Sequence, residues 1–174
     1  MKKNITLLAA LSFAGIMAST TAIAAGNQTT VNFKGEVVSA ACGIAPESVD
    51  QTVQLGQHPT HIFKAKGSSS IPVQFNIKLI ECSLDTYTKA KFTFNGSTDA
   101  TNSELFAVNG GAQGVGVRLS HGGTPIVAGT EATTVELTID TNVITFSAAL
   151  EADDDDDAVA GVAEATTTLN IAYL

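Results

Sequence analysis

Tryptophan is absent from this 174-residue chain and tyrosine occurs only twice. An aromatic platform for stacking sugar rings is therefore excluded. Cysteine is nearly as scarce: Cys42 and Cys82 are the whole complement, with no C-x-x-C pair. A structural metal centre or a redox site needs thiols and histidines at close ligand spacing, and neither pattern occurs. Positive charge is short as well, with nine Lys and Arg against 17 Asp and Glu. Nucleic-acid binding rests on basic patches facing phosphates, so that class of partner is excluded. The three histidines, His58, His61 and His121, fall in turn-rich stretches without a nucleophile motif such as G-x-S-x-G. No catalytic constellation can be assembled, no cofactor or metal is called for, and the chain is not read as an enzyme.

The N-terminus is informative. Lys2 and Lys3 precede an apolar run over 5–17 and small residues ending Ala22-Ile23-Ala24. This is the tripartite pattern of a secretory signal peptide with an A-x-A cleavage site, assigned to 1–24. The apolar run is too short to span a bilayer comfortably. Removal of the leader takes two lysines with it and leaves a net charge near −10, the mark of a well-solvated surface. In the oxidising compartment that export implies, an even cysteine pair reads as one structural disulfide, Cys42–Cys82. On a chain-entropy estimate, closing so long a loop contributes roughly 4 kcal/mol.

Period-two alternation recurs along the rest of the chain, and it predicts β-strands. The runs are 29–38, 49–57, 72–81, 89–95, 105–108, 115–119, 124–128, 133–140 and 143–150, before a final run from Ala163. In 72–81, Val73, Phe75, Ile77 and Leu79 share one face, and an irregularity at Ile80-Glu81 would re-aim Cys82. The glycine-rich NGGAQG before Val115 has the composition of a phosphate cradle, but no helical pattern and no P-loop lysine follow, so these are turn glycines. The five aspartates 153–157 lack the spacing and central glycine of an EF-hand loop, and like charges in a row are expected to form an exposed, solvated loop. About nine short strands with little helix point to an all-β sandwich.

The last stretch, VAGVAEATTTLNIAYL, organises the rest. Small or apolar side chains occupy Ala163, Ala165, Thr167, Leu169, Ile171 and Tyr173, alternating with Glu164, Thr166, Thr168, Asn170, Ala172 and Leu174. This is a half-buried strand that runs to the last residue, so its far edge is expected to be open, and an open apolar edge invites another chain.

Together, VNFKGEVVSAAC from Val31 to Cys42, VDQTVQLGQ from Val49, FNIKLIEC ending at Cys82, and the terminal NIAYL carry a resemblance. They resemble the major structural subunits (pilins) of type 1-like fimbriae, built by the chaperone–usher route. Tyr173 is penultimate, as in that family, and Gly161 stands fourteenth from the end, where the family's C-terminal signature has glycine. Two features depart from it: the segment before Val31 is a few residues shorter, and five aspartates replace a milder loop.

The resemblance implies an incomplete immunoglobulin-like β-sandwich that lacks its last strand, completed by donor-strand complementation. It divides the chain into a leader 1–24, a donor extension 25–35 and a pilin domain 36–174. Thr29, Val31, Phe33 and Gly35 would form the donor strand. Gly161, Ala163, Ala165, Thr167, Leu169, Ile171 and Tyr173 would line the acceptor groove. The implied partners are a periplasmic pilus chaperone, an outer-membrane usher and neighbouring pilins, on the way to an extracellular fimbrium that supports adhesion, colonisation and biofilm. A minor, adaptor or adhesive fimbrial subunit is the alternative. A tip adhesin would carry a lectin domain upstream, for which the few residues after the leader leave no room.

Overall fold

Residues 29–174 are described by a computed structural model. Two units are distinguished along the chain, one ending at Glu36 and the other Val37–Leu174. In the first, residues 29–36 are exposed and carry no strand.

The second unit holds eight strands: β1 (Gly43–Ile44), β2 (Val73–Cys82), β3 (Lys89–Asn95), β4 (Val115–His121), β5 (Thr124–Ile126), β6 (Glu131–Glu136), β7 (Asp140–Ala152) and β8 (Thr168–Tyr173). They form a five-stranded sheet in the order β1-β2-β7-β4-β5 and a three-stranded sheet in the order β6-β3-β8, and every pairing is antiparallel. Two single turns of 3₁₀ helix, at Pro46–Ser48 and Thr60–Ile62, are the only helical pieces among the described residues. The all-β sandwich expected from the alternation is the fold found.

Alternation decides which side chains meet between the sheets. Ala90, Phe92 and Phe94 of β3 are buried, as are Ile77 and Leu79 of β2 and Ile144, Phe146 and Ala148 of β7. Phe146 sits at the centre, edge-on to Phe94 at 5.0 Å and Phe92 at 5.7 Å, and stacked on Phe75 at 5.7 Å. Outside, Lys89–Glu136 and Lys91–Glu131 pair across β3 and β6; being exposed, each adds little.

The irregularity expected at Ile80-Glu81 is a β-bulge. Leu79 faces Asn142 and Cys82 faces Asp140, with the register shifting between them. Glu81 takes the left-handed conformation, φ 54°. One extra residue reverses the inward–outward alternation, so Cys82 turns into the core and bonds Cys42.

Several expected strands are changed. Residues 29–38 and 49–57 form no ladder. In the second stretch Val53 and Leu55 are half-buried while Val49 and Gln51 are exposed; the left-handed Asp50 (φ 53°) and Gly56 (φ 88°) bracket it and bend both ends away from straight pairing. Residues 105–108 are tied in only by single bridges from Phe106 to Thr98 and Val117. The run 133–140 ends early as a strand because Asn142 clamps the turn before β7: its Oδ1 accepts from Thr138 N (2.8 Å) and its Nδ2 donates to Thr138 O (2.8 Å) and Cys82 Sγ (3.3 Å).

The aspartate run is not uniformly solvated either. Asp153 is only 5 % exposed, because β7 continues through Ala152 and carries it under the neighbouring loops. Asp155, Asp156 and Asp157 are exposed.

Phe146→Ala removes the ring on which three others converge and should lower unfolding stability by about 3–5 kcal/mol. Thr134→Ala, on the exposed face of β6, should change it by less than about 0.5 kcal/mol. Denaturant unfolding of the two variants beside wild type checks both values.

Candidate functional site

Strand β8 has one partner among the described residues. It pairs with β3 in unbroken register, Ala90 opposite Tyr173 through to Asn95 opposite Thr168. Just beyond, Lys89 and Leu174 exchange both backbone bonds, at 3.0 and 2.9 Å. Antiparallel pairs alternate between bonded and non-bonded, so Thr168, Asn170 and Ala172 direct their backbone groups at β3. The N–H and C=O of Leu169, Ile171 and Tyr173 point the other way, to an edge where no ladder exists among the described residues.

The side chains follow the opposite parity. Ala163, Ala165, Thr167, Leu169, Ile171 and Tyr173 turn toward the core yet remain half-buried, and the residues between them are exposed. Leu55 and Phe75 are likewise partly buried against the same core. Apolar side chains packed below and open above are what a sandwich one strand short presents. Fully covering a leucine or isoleucine is worth about 1.5–3 kcal/mol, so the uncovered row is a store of unused hydrophobic energy.

Upstream, the C-terminal segment has a different neighbour. Val159, Val162 and Glu164 bridge to Gln113, Gly111 and Asn109. A Cβ on Gly161 would collide with the backbone at Ala112 N and Gly111 C, and one on Gly110 would stand 2.8 Å from the Val162 side chain. Gly110 and Gly111 also hold φ near 106° and 100°, where glycine alone is unstrained. Gly161 is thus required by backbone contact.

At its other end β8 is fastened to the disulfide. The Tyr173 hydroxyl donates to Cys42 O at 3.2 Å. Burial raises the Tyr173 pKa above that of an ordinary phenol, so it remains a neutral donor at physiological pH. The N-terminal residues singled out by sequence, Thr29, Val31, Phe33 and Gly35, are exposed, Phe33 at 92 %. Phe75 and Leu55 were not among the candidates; their partial burial beside fully buried neighbours marks them only once the fold is known. His58 bonds Leu55 O at 2.8 Å and packs edge-on to Phe63. Among the described residues no group of three His, Cys, Asp or Glu is placed to hold a metal.

Comparison with known proteins matches this geometry. The sequence model of the family described as "Fimbrial protein" matches residues 31–174. A type-1 fimbrial protein, A chain, of Escherichia coli is 39 % identical over 182 residues, covering 97 % of this chain and 96 % of that one. A type-1 fimbrial protein, C chain, from the same species is 36 % identical over 165 residues, with 91 % of each chain covered. Among solved structures, a chain of a chaperone–usher pilus, studied for the molecular basis of rod uncoiling, superposes with a TM-score of 0.76 at 27 % identity. The match covers 89 % of this chain and all of that one.

Tyr173→Phe deletes one half-buried hydrogen bond and leaves the ring, so stability should fall by about 1 kcal/mol in denaturant unfolding. Gly161→Ala forces the 159–164 segment off its neighbour. It should abolish amide protection at Val162 and Glu164, read by hydrogen exchange.

Proposed function

The chain belongs to the fimbrial protein family as a structural subunit of chaperone–usher pili, and we propose that it builds the rod by lending its own N-terminal strand to the next copy. The observation that carries this reading is the pairing of two complementary deficits. Strand β8 has outward backbone groups at Leu169, Ile171 and Tyr173 without a ladder, over an apolar row that is half covered. Residues 29–35 alternate apolar and polar and have no strand of their own. A donor strand from 25–35 entering the groove of the pilin domain 36–174 would answer both.

Main-chain bonds along β8 give such strand addition its affinity, and alternate side chains in pockets give it register. Val31 and Phe33 are the apolar anchors, with Thr29 and Gly35 on the same face. Burying the two contributes about 3–6 kcal/mol, before the cost of ordering the strand. That is modest for a durable fibre. Endurance is kinetic: withdrawing the donor uncovers Phe75 and the β8 row, so dissociation is coupled to local unfolding. Contact between unlike surfaces does not close on itself, which yields a filament rather than a ring.

The same open edge sets the route. An exported subunit in this state would aggregate, so a periplasmic chaperone fills the groove first, and an outer-membrane usher exchanges it for the incoming donor. The assembled fimbrium lies outside the cell and serves adhesion and surface colonisation.

Phe33→Asp tests the donor assignment. It places a charge in an apolar pocket and should abolish surface filaments while monomer still accumulates inside the cell envelope. Asn32→Asp, one position out of phase, should leave filaments that stay polymeric on denaturing gels until heated. Normal filaments from Phe33→Asp would refute the register.

A further inference from the structure

Asp153, the first residue of the aspartate run, is enclosed at the end of β7, and its Oδ1 has no hydrogen-bond partner. Its backbone N–H is held by Gly114 O at 3.3 Å. The charges that act on its carboxyl are those of Asp99 and Asp154, both acidic. Asp99 cannot swing away, because its Oδ1 accepts from the backbone N–H of Thr101 and of Asn102, each at 2.9 Å. The basic side chain of Arg118, on β4, is committed to Glu151 at 2.5 and 2.9 Å and to Glu104 at 3.2 Å. Lys66 enters the run through its backbone N–H, on Asp155 Oδ1 at 2.9 Å.

Burying an ionised carboxylate without a cation or donor costs several kcal/mol, and such a group neutralises instead. We propose that Asp153 and Asp99 form a proton-binding pair: in acid, Asp153 takes one proton from solvent and donates it as a hydrogen bond to the fixed Asp99 carboxylate. The bond fastens the start of the 153–157 loop to the 99–102 turn. That loop leads directly into the 159–164 segment and β8, so the proton steadies the base of the element that carries the open edge.

Burial, then Asp99, then Asp154 raise the Asp153 pKa above the ordinary aspartate value. A raised folded-state pKa contributes stability that is fully present below the unfolded value of about 3.9, and loses it as pH rises through the folded value. Protonation of Asp153 therefore makes the subunit firmer in acid, opposite to the usual loss of paired carboxylates.

The test uses filaments sheared from cells carrying wild type, Asp153→Asn or Asp99→Asn, after wild type has been shown to polymerise. The readout is the temperature at which half the material runs as monomer on a denaturing gel, taken near pH 4 and near pH 8. In either variant an amide supplies the hydrogen bond at every pH, and the amide oxygen introduced by Asp99→Asn still accepts from Thr101 and Asn102. Both should exceed wild type by about 2–4 °C near pH 8, and the gap should vanish near pH 4. Should Asp153→Asn fail to yield filaments, Asp99→Asn supplies the comparison. A gap that is the same at both pH values would overturn the proposal. A wild-type midpoint raised by calcium chloride and restored by EDTA, but not in Asp153→Asn, would overturn it in favour of a bound cation.

Discussion

The constraint on which the molecule depends is that a β-strand has two edges and β8 satisfies one. Backbone N–H and C=O groups must find partners, and in β8 those of Leu169, Ile171 and Tyr173 face a side without a ladder among the described residues. The same residues carry the half-buried side chains, so hydrogen-bonding demand and apolar exposure coincide on one strip. A soluble monomer would normally blunt such an edge with charge, proline or a bulge. Between 165 and 174 none of these devices occurs, and the edge remains straight and receptive.

The rest of the fold keeps that strip in place. At one end, glycines at 110 and 161 let two backbones approach more closely than any side chain permits. At the other, Tyr173 reaches the Cys42 carbonyl, and the bulge in β2 turns Cys82 inward to complete the disulfide. Below, Phe75, Phe92, Phe94 and Phe146 form a rigid aromatic floor. A groove held at both ends and underneath loses little entropy on accepting a strand, which favours tight and specific addition.

Much of this was legible in the residues. The alternations around Phe75 and Phe92 placed β2 and β3 within a residue or two, since the two faces of each strand experience different environments. The doublet Ile80-Glu81 foretold the bulge. The reading failed where pattern and pairing part company: 29–38 and 49–57 alternate as strands do, but a strand is a relation between two segments, and these have no partner among the described residues. Asp153 was misjudged because composition treats five aspartates as equivalent, whereas the length of β7 carries the first beneath neighbouring loops. The reason for Gly161 was likewise hidden, since only the fold brings residue 111 beside it.

Amide hydrogen exchange along β8 tests the central claim most directly, comparing isolated subunit with assembled filament. In the isolated subunit, Thr168, Asn170 and Ala172 should exchange slowly and Leu169, Ile171 and Tyr173 quickly; in the filament all six should be slow, with the odd-numbered amides gaining most of the protection. Odd-numbered amides already protected in the isolated subunit, or still exchanging freely in the filament, would contradict the account.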